Sequence, residues 1–128
     1  MESISLKKKE AFSRKMVDIL NYGALNLAMA IGYRTGLFDV MDAFDSPRTV
    51  AAIAERGGLN ARYVREWLGV MSASGVVELI KQEGKEGEYF LPKEHATFLT
   101  RKSGDSNMGV YTQEIPLLTT CAMEQVIK

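Results

Sequence analysis

The 128-residue chain has one cysteine, one histidine, one tryptophan and three prolines. Cys121 has no partner for an internal disulfide, and a structural zinc site made of several cysteines is excluded. Net charge is missing too. Sixteen Lys and Arg balance sixteen Asp and Glu, so no long-range field steers the chain toward nucleic acid, anionic membrane or acidic substrates. The most apolar stretch, residues 24–31, contains Asn26 and falls far short of the ~20 residues a membrane-spanning helix needs. Lys7, Lys8 and Lys9 are followed by Glu10, Arg14, Lys15 and Asp18, not by the apolar core of an export signal. These absences point to a cytoplasmic protein with no membrane partner.

Active-site signatures are equally scarce. Eleven glycines are present, yet no two form a G-x-G pair, the turn that lets backbone approach a nucleotide-like cofactor closely. No G-x-S-x-G elbow occurs. His95 has Glu94 beside it but no metal-ligand spacing around it, and reads as a helix-start residue with a local hydrogen bond. Cys121 reads as a small packed residue. Asp105-Ser106-Asn107 starts like a calcium loop, but the later glycine and glutamate fail. No catalytic or metal-binding residue is assigned, and no cofactor is expected in this chain.

What is present is helical periodicity. Hydrophobic residues make up 46% and charged residues 25% of the chain, enough for one modest core and a single domain over residues 1–128. Phe12, Met16, Ile19 and Leu20 form a stripe on a helix over 8–21. Gly23 marks a bend, and a second helix over 24–35 ends near Gly36. That second helix is apolar almost all round, which calls for cover on most sides. The cover is either the rest of this small core or a partner surface. Residues 37–48 form a connector whose Leu37, Phe38 and Met41 fold back on the core.

Thr49 caps a short helix over 50–56 that Gly57-Gly58 stops. Asn60 caps the next, to about Ser74, with Val64, Trp67, Leu68 and Met71 as its buried stripe. Residues 76–80 and 88–91 read as a hairpin around the polar loop 81–87. Residues 94–102 make a short helix or turn. A last helical segment over 106–128 carries Met108, Tyr111, Ile115, Leu118, Ala122 and Val126, and Pro116 kinks or restarts it. Trp67, Tyr89 and Phe90 are expected in the core, and the methionines as gap-fillers within it. The fold class is mainly α with a small β-hairpin, in winged-helix order, with extra N- and C-terminal helices. A dimerisation arm (8–35) precedes the winged-helix core (37–92), and the segment 105–128 follows it.

One further pattern concerns binding. Tyr22, Asn26, Met29 and Tyr33 lie at spacings of four, three and four, hence on one helix face. Aromatic, amide and thioether groups together suit a mostly apolar pocket wall. Tyr111 and Glu114 form a similar pair in the last segment. Alternatively, the tyrosines and Asn26 satisfy buried backbone groups.

Several segments carry a more specific likeness. They are Asn21-Tyr22-Gly23-Ala24-Leu25, Leu37-Phe38-Asp39, Ser46-Pro47-Arg48-Thr49-Val50 and Ile53-Ala54. Arg62-Tyr63-Val64-Arg65-Glu66-Trp67-Leu68, Ser74-Gly75-Val76-Val77 and Leu91-Pro92-Lys93-Glu94-His95-Ala96 complete the ordered set. Across residues 12–120 the chain resembles the N-terminal winged-helix domain of S-adenosylmethionine-dependent methyltransferases of the small-molecule O-methyltransferase type.

The resemblance implies a homodimerising, substrate-covering domain. The S-adenosylmethionine site would lie in a following Rossmann-like catalytic domain, absent here, for which residues 105–128 would be the lead-in. The end at Val126-Ile127-Lys128 without a cap reads as a cut within a longer protein. In that parent, Tyr22, Asn26, Met29, Tyr33, Tyr111 and Glu114 would face a small-molecule substrate.

A DNA-binding regulator is the competing reading. Arg62 and Arg65 sit where a recognition helix would read bases. Residues 48–88, however, hold six basic and six acidic side chains, and the hairpin has more Glu than Lys. Counterion release then gains little, so no nucleic-acid partner is expected. A freestanding interaction module is the third possibility.

Overall fold

The computed structural model describes residues 3–127. Helix α1 (Leu6–Arg34) starts at Ser5, whose hydroxyl accepts from the Lys8 amide, and ends at Gly36, which takes φ 79°. At 29 residues it is roughly 43 Å long. The expected break at Gly23 does not occur. An isolated glycine lowers helix propensity by about 1 kcal/mol but leaves the backbone hydrogen-bond ladder intact.

Then come α2 (Leu37–Asp42), α3 (Val50–Gly57), α4 (Ala61–Ala73), β1 (Glu78–Ile80), β2 (Glu88–Phe90) and α5 (Lys93–Leu99). The connector reading of 37–48 is corrected in its first half, where α2 is a short helix. The caps are as read from the sequence. Thr49 accepts from the Ala52 amide, Asn60 accepts from the Arg62 amide, and Gly58 takes the left-handed conformation after α3. β1 and β2 pair antiparallel, Leu79 opposite Tyr89. Arg48 and Tyr89 add a reciprocal backbone bridge, at 3.0 and 2.7 Å, that ties the entry of α3 to the wing.

The last segment departs from the helical segment expected over 106–128 in its first part. Two 3₁₀ turns, Arg101–Ser106 and Gly109–Gln113, precede α6 (Glu114–Ile127). Gly104 interrupts the first turn with φ 58° and ψ −126°. Pro116 lies in the first turn of α6, where its missing amide hydrogen has no partner to lose, so of the two outcomes expected there the helix restarts and is not kinked.

The core gathers around Phe38, Ile53, Leu68, Met71 and Leu91, all fully buried. Burying each such side chain contributes about 1.5–3 kcal/mol. Phe38 meets Trp67 edge to face at 5.2 Å, and the Trp67 indole N–H donates to the Ala28 carbonyl at 2.8 Å. Gly32 allows this approach, because a Cβ there would lie 2.3 Å from the Trp67 ring. Leu37, Met41 and Trp67 are buried as expected, whereas Tyr89 and Phe90 are half-buried. Met16, Met108 and Met123 are exposed, which corrects their assignment to the core. Their stripes lie on helix surfaces that this domain does not cover.

That uncovered surface is extensive. Phe12, Met16, Ile19 and Leu20, expected to form a stripe, are 38–65% exposed. Helix α1 meets the core only in its C-terminal half, through Leu25, Ala28, Met29, Ala30 and Tyr33. Leu27 and Ile31 on its opposite side remain exposed, and α6 has no buried residue. Cys121 on α6 is exposed, not packed.

Candidate functional site

Continuity of α1 through Gly23 places Tyr22, Asn26, Met29 and Tyr33 along one face, and the structure assigns them different work. Tyr33 is buried. Its hydroxyl accepts from Asn107 Nδ2 at 3.0 Å, and its carbonyl accepts from Arg101 Nη2 at 2.7 Å. The Arg101 guanidinium lies 4.2 Å from the centre of the Tyr33 ring. Asn26 Nδ2 donates to the Thr112 carbonyl at 3.3 Å, and Gln113 Nε2 donates to the Ala30 carbonyl at 2.8 Å. Gly109 comes so close that a Cβ would lie 2.7 Å from the Tyr33 ring. Asn26 and Tyr33 thus hold the strap of residues 101–113 against α1. Met29 is half-buried against the core. Tyr22, Tyr111 and Glu114 are exposed, Tyr22 and Tyr111 to 71% and 59%.

The strap is anchored a second time on α2. Arg101 donates to Asp39 through both its guanidinium and its backbone amide. The buried Asp42 carboxylate takes Lys93 at 3.0 Å and Lys102 at 2.5 Å. Burial pushes the Asp42 carboxyl up, but hydrogen bonds and charge from Lys102 and Lys93 outweigh it and hold the group below the ordinary carboxylate value. Asp42 in turn raises Lys102. These anchors escaped the sequence reading, because Asp39 and Arg101 stand 62 positions apart and nothing local marks either.

Two open grooves border α1. One, of about 860 Å³, lies between α1 and α4. It is lined by Asp18, Asn21, Tyr22, Leu25 and Ala28 on one side and by Glu66, Gly69, Val70 and Ala73 on the other. Of the six residues assigned to a pocket wall, only Tyr22 lines it. The other, of about 570 Å³, lies between Leu27, Ile31 and Arg34 of α1 and Pro116 and Leu117 of α6. Arg62 and Arg65 on α4 are exposed, but the groove beside them has carboxylates at its rim. His95 Nδ1 donates to the Val76 carbonyl at 2.7 Å, which gives this histidine a structural task. Among the described residues no cluster of His, Cys, Asp and Glu suits a metal ion, and no helix is long and apolar enough to cross a membrane.

Helices α3 and α4 with the β1–β2 wing form a winged helix-turn-helix unit, and the family model for the Rv2258c-like winged HTH domain matches residues 23–101. The chain belongs to this family. Among solved structures, human N-acetylserotonin methyltransferase in complex with SAM aligns with TM-score 0.61 and 19% identity. That alignment covers 79% of this chain and 28% of the enzyme. PigF with SAH aligns with TM-score 0.59 and 24% identity, over 88% of this chain and 33% of that protein. The chain therefore spans about a third or less of these methyltransferases, and at such identity the likeness shows a shared fold. A homodimeric winged helix-turn-helix DNA-binding domain from Mycobacterium bovis aligns with TM-score 0.47 and 21% identity, over 94% of each chain; so loose a superposition says nothing of role. A search of curated proteins gives no match.

Proposed function

We propose that this chain is the N-terminal dimerisation and substrate-covering domain of a cytoplasmic S-adenosylmethionine-dependent methyltransferase. One observation carries the reading: the apolar faces of α1 and α6 remain open in a domain whose core is otherwise complete. Contiguous exposed apolar surface of this kind marks an interface. A second copy and a following catalytic domain are two natural covers, and C₂ pairing is the commonest oligomeric solution. The cofactor would belong to the catalytic domain: the sequence has no G-x-G turn, and the described residues form no parallel βαβ sheet.

Within the parent enzyme, Tyr22, Asn26, Met29, Tyr33, Tyr111 and Glu114 face the substrate side. There they would shape the pocket, exclude water and hold the acceptor near the transferable methyl group. Asn26 and Tyr33 would act by holding the strap, while exposed Tyr111 and Glu114 are free for contact. In the parent enzyme, Tyr111→Ala and Glu114→Gln should lower kcat/KM for the acceptor by about tenfold and leave cofactor affinity unchanged. Unaltered acceptor kinetics in both variants contradicts the substrate-facing assignment.

The DNA-binding alternative has the winged-helix fold in its favour. Against it stand the balanced charge of residues 48–88 and the carboxylates Asp18 and Glu66 at the groove beside α4. A phosphate backbone is repelled, not drawn, by such a rim.

A further inference from the structure

We infer that the groove between α1 and α4 receives the basic first turns of α1 from a second copy of the chain, antiparallel, across a two-fold axis near residues 17 and 18. This rests on the dimer proposed above and names the face that pairs. The groove's α1 wall consists of Asp18, Asn21, Leu25 and Ala28 with Tyr22 and Ala24. The first four lie at spacings of three, four and three, the period of a helix–helix seam. Continued upstream at the same period, that seam runs through Arg14, Ala11 and Lys7, all exposed.

Charge is segregated along it. Residues 7–15 carry Lys7, Lys8, Lys9, Arg14 and Lys15 against Glu10 alone. The downstream half carries Asp18, with Glu66 from α4 across the groove, and neither forms an ion pair among the described residues. Arg62 and Arg65 of α4 are not among the groove's lining residues.

Lengths match as well. Residues 7–17 and residues 18–28 each extend roughly 15 Å along the helix, so an antiparallel pair brings the basic half of each α1 onto the acidic groove of the other. A parallel pair would set like charges together. The groove wall is lined by small side chains, Ala24, Ala28, Gly69 and Ala73. A Cβ at Gly69 would meet nothing within 4 Å, which leaves room for the partner's helix.

A charge-swap experiment on the whole chain tests this. Asp18→Lys with Glu66→Lys makes both arm and groove basic, and Lys7→Glu with Arg14→Glu turns the arm's seam positions acidic, against a groove that is acidic already. Each double variant is expected to weaken its own dimer by tenfold or more, on the order seen when like charges are set against each other at an interface. An equimolar mixture should restore dimers, now of one chain of each kind. All four positions are exposed, so the fold should persist, and restoration on mixing itself reports folded chains. The wild-type dimer should also weaken as salt rises from 0.1 to 1 M, where the screening length falls from about 10 to about 3 Å.

Variants that dimerise alone as well as wild type, or a wild-type dimer indifferent to salt, would show that the copies pair through another face. Loss of dimers in both variants without recovery on mixing also overturns the antiparallel seam. A wild-type chain that stays monomeric fails the dimer reading itself.

Discussion

Residues at three places control this domain more than their neighbours do. At Gly32, α1 passes so close to Trp67 that an alanine Cβ would lie 2.3 Å from one ring carbon and 2.9 Å from Phe38. Gly32→Ala should therefore destabilise the fold by about 3 kcal/mol, the upper range for overpacking a core, as read by urea unfolding. At Asp42, two lysines neutralise a buried carboxylate. Its carboxyl lies below the ordinary value in the folded state and at that value when unfolded. The stabilisation is thus complete above the unfolded pKa and is lost as pH falls through the folded one. Asp42→Asn should cost about 1–2 kcal/mol near neutral pH, with the gap to wild type closing below about pH 4. A gap that stays constant into acid would contradict the ionic account. The third place is the pair of caps Thr49 and Asn60. Each was legible because a cap is local chemistry: a side-chain oxygen followed within three residues by a free amide. Asp42, Asp39 and Arg101 were not legible, since their partners are fixed only when α5 and the strap close over α2.

Elements differ in how much the sequence revealed. Helices α3 and α4 and the wing carry their own stop and start signals, and their buried faces follow from the period of Val64, Trp67, Leu68 and Met71. Helix α1 was harder. Gly23 looks like a bend in the sequence, but nothing in the fold takes advantage of its freedom, and beyond the adjacent residues and the helix's own backbone nothing lies within 4 Å of the Cβ it lacks. Gly23→Ala should raise stability by about 0.5–1 kcal/mol, measured by thermal unfolding; a loss would mean that the glycine serves a contact made outside this domain. Residues 106–113 read as part of the last helical segment because the apolar residues of 108–126 keep helical spacing. What breaks it is tertiary. The positive φ at Gly104 and the hydrogen bonds of Asn26, Tyr33 and Gln113 wrap residues 101–113 around α1 before α6 begins.

At the scale of the whole molecule, a helix-turn-helix fold is combined with a balanced charge over residues 48–88 and two apolar helices left uncovered. The winged-helix order and the family resemblance were both readable from the sequence. The site was less so. Of the six residues expected at a pocket wall, Asn26 and Tyr33 secure the strap, Met29 packs against the core and three are exposed, because helical spacing puts residues on one face without saying what covers that face. Sedimentation velocity of the chain at micromolar concentration, alone and with a mixed-sequence DNA duplex at physiological salt, tests the central claim most directly. The account predicts a species of twice the 14.2 kDa chain mass whose sedimentation is unchanged by DNA. A monomer, or a chain that sediments with the duplex, would contradict it.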